Sequence, residues 1–139
     1  MIKVLITGGS GFIGSNLVNY LNKKRLYKIS NIDKISYAST PEKFKKIKYK
    51  KNYKFYKLDL INKSKLKKIL KIENPDFIIH AAAESHVDRS IDGPQKFIKT
   101  NIVGTYCMLE EARHYFLSLR GNKKKNFIFH HVSTDEVYG

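Results

Sequence analysis

At 139 residues the chain has room for one domain with a real core, and its single cysteine, Cys107, excludes a disulfide scaffold and a cysteine-rich zinc site. A lone thiol makes a reducing, cytoplasmic setting the expectation. The net charge of +15, from 27 basic and 12 acidic residues, raises nucleic-acid binding, yet arginine, on which specific base readout leans, occurs only at positions 25, 89, 113 and 120. Lysine-rich composition on solvated faces is the plainer reading, although Lys34 to Lys71, interleaved with tyrosine and phenylalanine, has the look of a basic aromatic surface.

Val4-Leu5-Ile6 reads as a short buried strand, and Phe12, Ile13, Leu17, Val18 and Leu21 repeat at helical spacing. Val4 to Asn22 is uncharged, but its glycines, serines and asparagines argue against a membrane span. Gly8, Gly11 and Gly14 form a G-x-x-G-x-x-G pattern between strand and helix. Missing side chains there let the backbone turn tightly, approach a pyrophosphate and seat the helix, whose positive end receives the anion. Glycines also serve ordinary turns, and the pattern alone leaves both readings open. Lys23-Lys24-Arg25 closes the helix, and Tyr27 to Ile32 alternates as a second strand that ends at Asp33. An acidic residue about twenty positions past the glycines is where a dinucleotide fold accepts ribose hydroxyls. It would repel a 2′-phosphate, favouring NAD over NADP, with Lys34 tempering the preference.

A short helix is expected between residues 34 and 52, capped at Ser39-Thr40-Pro41-Glu42. Tyr53 to Leu58 reads as strand three, ending in Asp59-Leu60. Leu66, Ile69 and Leu70 line one face of the next helix, which Asn74-Pro75 breaks. Asp76 to His80 is strand four, followed by Ala81-Ala82-Ala83, small residues over which a flat cofactor could lie. Pro94 starts a long helix carrying Phe97, Ile98, Ile102, Met108, Leu109, Ala112 and Phe116, which Gly121 and three lysines end. Phe127 to Val132 is strand five, and Ser133 to Gly139 follow it. The alternation predicts an α/β, Rossmann-type doubly wound parallel sheet in the order 3-2-1-4-5, one domain over residues 1–139 truncated after strand five. Ligands of such a sheet bind at the carboxyl ends of the strands. That edge collects the glycine loop, Asp33, Asp59, Ala81 to Ser85 and Thr134 to Glu136.

Asp135 and Glu136 are the candidate acid and base, since one carboxyl held protonated can serve as acid beside a charged neighbour. Turn residues, or a cap for a following helix, are the alternative reading of the same pair. His80, His86, His114, His130 and His131 show no metal-ligand spacing with these acids, so no metal site is expected.

Thr7-Gly-Gly-Ser-Gly-Phe-Ile-Gly14 resembles the glycine loop of the extended short-chain dehydrogenase/reductases. Asn31 to Ala38, Ala81 to Pro94, Thr100 to Thr105 and His130 to Gly139 are similar, in order, to motifs of one branch, the dTDP-glucose 4,6-dehydratases. The resemblance spans the whole chain. It implies an intramolecular redox cycle with NAD: hydride leaves C4 of the sugar, water is lost from C5 and C6, and the hydride returns at C6. By position, Glu136 would be the base at C5, Asp135 the acid at the C6 hydroxyl, and Thr134 the partner of the C4 oxygen. Phe12 and Ile13 would offer amides to the pyrophosphate. Asp33, Lys34, Ile35 and Ser36 would hold the adenosine ribose, and Asp59 and Leu60 would meet the adenine. Ala81, Ala82, Ala83, Glu84, Ser85 and Thr100 would line the path to the nicotinamide, with Ser85 and Thr134 also touching the substrate, dTDP-glucose. The resemblance further implies a homodimer through helices of this half, including the one from Pro94. Its Tyr-x-x-x-Lys motif, on the helix after strand five, is not among the 139 residues. Tyr20 with Lys24 and Tyr53 with Lys57 match the spacing at the wrong places. The expected reading is an amino-terminal, catalytically incomplete portion. A non-catalytic NAD- or nucleic-acid-binding module, or another nucleotide-sugar epimerase or dehydratase, are the alternatives.

Overall fold

The computed structural model describes residues 1–36, 39, 47, 49–85 and 91–138, the side chain of Glu136 excepted. At its centre lies β1 (Ile2–Thr7), an apolar run long enough to be paired on both sides. Strand β2 (Tyr27–Asp33) flanks it on one side and β4 (Phe77–His80) on the other. Strands β3 (Tyr53–Lys57) and β5 (Ile128–His131) complete a parallel sheet in the order β3-β2-β1-β4-β5, as the sequence predicts. The strand order reverses between β1 and β4, which opens the crevice where ligands of doubly wound sheets bind. Register aligns the strand ends there: Thr7 pairs with Ile32 and with His80, and His80 pairs with His131.

Successive side chains of β1 face opposite layers. Val4 and Ile6 pack with Ile29 under α1 (Phe12–Lys23), which contributes Val18 and Leu21. Leu5 packs with Ile32 and Ile78 on the other face, under α2 (Lys63–Glu73) and a helix further along that contributes Met108 and Ala112. Helix α2 begins at Asn62, whose side chain accepts from Lys65 N at 3.1 Å. It ends at Asn74, in the left-handed conformation at φ 49° with its N–H on Leu70 O.

The expected single helix from Pro94 is three pieces: α3 (Pro94–Phe97), a π-helical stretch (Ile98–Gly104) and α4 (Thr105–Ser118). The wider i→i+5 turns rotate Thr100 and Asn101 into side-chain hydrogen bonds with the neighbouring loops. Spacing also grouped residues that the fold separates: Met108 and Ala112 are buried, whereas Ile98, Ile102 and Leu109 are exposed. Cys107 is packed in the interior, as a small apolar residue should be. Gly121 and its lysines do not end this helix, which stops at Ser118. They form a further short helix, α5 (Gly121–Asn126), which Lys123 ties to Asp76 at 2.7 Å and to Asn74 O at 2.8 Å. The helix expected between residues 34 and 52, with its cap, falls largely outside the described residues, which include a 3-10 turn at Lys50–Asn52.

At the amino end of the sheet Tyr115 Oη donates towards Asn74 Oδ1 at 2.7 Å and Pro75 O at 2.8 Å, and burial raises its pKa. Tyr115→Phe leaves those acceptors without a donor and is expected to cost about 1–2 kcal/mol, read as a lower urea midpoint with an unchanged slope.

Candidate functional site

Gly8, the first residue past β1, takes φ +71°, and a Cβ on it would lie 2.5 Å from Ala82 Cα and 2.7 Å from Ala82 N. No side chain fits between the loop and the residues following β4. Gly14 is equally confined, since a Cβ there would overlap Gly8 O and come within 2.7 Å of Gly9 Cα. These two glycines fold the loop flat against the sheet edge and seat α1 on it. Gly8 N donates to Ile32 O at 2.9 Å and Gly11 N to Gly8 O at 3.1 Å. Gly11 precedes α1 as its cap residue, no side chain caps the helix, and its first turn carries no acid. The positive end of a twelve-residue helix therefore opens at the crevice, with the side chains of Phe12 and Ile13 turned out to solvent.

Asp33, at the end of β2, is buried and does more than its position predicts. Its Oδ2 accepts from Ser10 N at 2.9 Å and its Oδ1 from Ile35 N at 2.8 Å, so one carboxylate pins the glycine loop and turns the chain after β2. Ile35 adopts φ +58°, rare for a β-branched residue, and that conformation aims its N–H back at Asp33. A carboxylate has about four lone-pair positions, so two remain for ligand hydroxyls. Ser36 N donates to Ser39 Oγ at 2.9 Å. Beside Asp33, Lys34 Nζ lies 2.9 Å from Glu84 Oε1 and donates to Thr100 Oγ1 at 2.7 Å.

Beyond β4, Ala81 N donates to Thr7 O at 3.1 Å, and Asn101 clasps the backbone of Glu84 by two hydrogen bonds of 2.8 and 2.9 Å. Ala83 and Ser85 are exposed in this segment, while Ala81 and Ala82 are half-buried. Asp59 Oδ1 accepts from Ile61 N at 3.3 Å, whereas the Leu60 side chain is buried in the core. Thr134 and Asp135 are exposed beyond β5, Thr134 Oγ1 donates to Asp135 Oδ1 at 3.3 Å, and Asp135–Tyr138 form a 3-10 turn. Val132 N donates to His80 O at 2.9 Å, which ties the chain leading to Thr134 to the end of β4. Of the two Tyr-x-x-x-Lys matches, Tyr20 and Lys24 sit at the far end of α1 and Tyr53 and Lys57 on β3, away from the segment after β5.

Two supporting residues escape sequence reasoning. Asn31 is buried beneath the loop, with Nδ2 donating to Tyr53 Oη at 3.1 Å and Oδ1 against Gly9 without a hydrogen-bond partner among the described residues. Its alternation with Asp33 on β2 was the available signal. His80 lies fully buried between two hydroxyls, Nδ1 at 2.6 Å from Thr7 Oγ1 and Nε2 at 3.0 Å from Thr105 Oγ1. Burial, with His131 stacked on it at 5.2 Å, lowers its pKa to about 4, so the ring is neutral at pH 7. Among the described residues there is no cluster of acids, histidines or cysteines able to hold a metal ion, and no helix long and apolar enough to cross a membrane.

The family model for GDP-mannose 4,6 dehydratase matches residues 5–139. The chain belongs to that family. Among its relatives, the dTDP-glucose 4,6-dehydratase of Salmonella typhimurium is 50% identical over 138 residues, covering 99% of this chain and 38% of that protein. The chain thus spans about two fifths of the length of the curated relatives it matches, and fits their amino-terminal portion. The crystal structure of dTDP-glucose 4,6-dehydratase from Bacillus anthracis in complex with NAD superposes with a TM-score of 0.80 at 34% identity, over 100% of this chain and 39% of that one. The UDP-Glc/GlcNAc 4-epimerase of Campylobacter jejuni gives a TM-score of 0.82 at 27% identity, over 100% of this chain and 39% of that one. In this GDP-mannose 4,6 dehydratase family member, then, the edge built from Gly8, Asp33 and Ala82 lies within a shared fold.

Proposed function

We propose that the chain is the NAD-binding part of a dTDP-glucose 4,6-dehydratase, working in the cytoplasm. The observation that carries this reading is the Asp33 carboxylate bonded to the glycine loop at the strand-order reversal, with an uncapped helix start beside it. These residues fit the cofactor. The helix start opposes a pyrophosphate, Asp33 retains acceptor positions for ribose hydroxyls, and the Gly8–Ala82 contact leaves a flat backbone surface for a ring. NAD, when bound, supplies the hydride acceptor and donor of the reaction. Phe12, Ile13 and Gly14 bind the pyrophosphate through backbone amides, Asp33 to Ser36 orient the adenosine, and Asp59 and Leu60 border the adenine.

The substrate of this reading is dTDP-glucose, because Thr134-Asp135-Glu136 follows β5 on the same edge. Thr134 hydrogen-bonds the C4 oxygen, Glu136 removes the C5 proton and Asp135 gives a proton to the departing C6 hydroxyl, so water leaves with its charge balanced. Ser85 completes the substrate contacts. The exposed apolar run Ile98, Ile102, Tyr106 and Leu109 along α4 and the π-helical stretch supports a second copy of the chain as the partner there.

The net charge of +15 favours one rival, a nucleic-acid-binding module. Two aromatics of the basic stretch are committed internally, however: Tyr53 Oη accepts from Asn31 and Tyr56 Oη donates to Glu73. Incubating the 139-residue chain with NAD and dTDP-glucose is expected to give cofactor binding without the 4-keto-6-deoxy sugar, since the family's Tyr-x-x-x-Lys is not among these residues. Duplex or single-stranded nucleic acid bound more tightly than NAD, with a steep salt dependence, would support the rival instead.

A further inference from the structure

Lys34 follows Asp33 directly, and a cation beside the ribose site ordinarily invites a 2′-phosphate. Its ammonium is spent elsewhere: Glu84 Oε1 lies 2.9 Å away, and Thr100 Oγ1 accepts from it at 2.7 Å. Two of the three donors of an ammonium are thereby committed. The arrangement is built rather than incidental. The Glu84 side chain is 9% exposed and that of Lys34 33%, so the pair is screened less than a surface ion pair. Glu84 itself is anchored through its backbone N and O by Asn101, at 2.8 and 2.9 Å. The π-helical stretch supplies both Thr100 and Asn101, so the segment that breaks the regular helix also fixes the lysine.

We propose that Glu84 is a specificity-determining residue, which by holding Lys34 leaves the negative charge of Asp33 unopposed at the ribose 2′ position and so rejects a 2′-phosphorylated dinucleotide. This inference rests on the NAD-binding reading above and adds a determinant to it. Asp33 supplies the repulsion; Glu84 prevents its neutralisation. The backbone clasp of Asn101 on residue 84 does not involve the carboxylate, so Glu84→Gln frees Lys34 while keeping the loop anchored.

The test is calorimetric titration of the full chain and three variants with NAD and with NADP. The unmodified chain is expected to prefer NAD, and Glu84→Gln to narrow the NAD/NADP affinity ratio roughly fivefold, mainly through tighter NADP binding. Lys34→Gln is expected to bring no loss of NADP affinity, because the ammonium is already withheld by Glu84 and Thr100. Combining the two substitutions should restore the ratio of the unmodified chain. An unchanged ratio in Glu84→Gln, with NAD still bound, overturns the proposal. So does a loss of NADP affinity in Lys34→Gln, which decides the matter even where Glu84→Gln fails to fold. Absence of NAD binding by the unmodified chain overturns the cofactor reading itself, a distinct result.

Discussion

Gly8→Ala is expected to lower NAD affinity by at least about a hundredfold and to destabilise the chain by about 2–4 kcal/mol. Two costs coincide at this position. The residue must hold φ +71°, and the added methyl would press on Ala82 Cα at 2.5 Å and Ala81 C at 2.8 Å, all of it backbone that cannot rotate aside. Relief requires the loop to lift from the end of β4, and that movement drags Ser10 N off Asp33 and displaces the start of α1. Anion site and ribose acceptor move together, so the substitution is felt in binding as well as in stability. Gly121→Ala is the matched control. Gly121 also holds a positive φ, +56°, but a Cβ there meets nothing within 4 Å. It should cost only about 1–2 kcal/mol of backbone strain and leave NAD affinity unchanged. Titration calorimetry with urea unfolding of both variants reads the two quantities separately.

Stability is expected to fall by about 2 kcal/mol between pH 7 and pH 5, and by about 3 kcal/mol in all by pH 4, through His80 alone. Burial, and secondarily His131, holds its folded pKa at about 4, below the ordinary 6.5. Between those values the unfolded chain takes up a proton that the folded chain refuses, so each step down in pH favours unfolding. The contribution is complete above pH 6.5 and gone once the folded ring protonates. Other groups move lower in the range. Burial raises the Glu73 carboxyl, but hydrogen bonds from Tyr56, Lys54 and Ser30 outweigh it and hold it below its usual value. Asp76 behaves alike under Lys123 and the Lys3 amide. Their stabilisation fades only as pH drops beneath ordinary carboxylate values, so of these three groups His80 alone acts between pH 6.5 and 5. Urea midpoints across that interval should slope downward with acid in the unmodified chain and lie nearly flat in His80→Asn.

Much of this architecture was legible because local and global signals agree in it. Val4-Leu5-Ile6 is too apolar to be anything but interior, and the glycines that follow leave the chain little choice but to turn and start a helix. Asp33 was readable as an acid at the right place. That its two oxygens pin Ser10 and Ile35 was not, since those bonds depend on how the loop closes over β2. The π-helical stretch was hidden for a different reason: Ile98, Ile102 and Leu109 repeat at spacings that suit either a buried or an exposed stripe, and a wider turn leaves no compositional mark. Gly121 reads as a helix stop by itself. The ion pair from Lys123 to Asp76, 47 residues away, ties the new helix that starts there to the beginning of β4. His80 illustrates the same limit, its partner Thr7 lying 73 residues earlier. Long-range polar contacts, rather than periodicity, hold the parts that sequence reasoning missed.

The edge formed by the glycine loop, Asp33 and the residues after β4 is proposed as the cradle for NAD. Amide-resolved NMR titration of the chain with NAD tests it most directly. Saturable shifts are expected at Gly8 to Gly14, Asp33 to Ser36, Asp59 to Leu60 and Ala81 to Ser85, with α5 silent. Shifts absent from the glycine loop, or confined to the lysine-rich faces and abolished by modest salt, would contradict it.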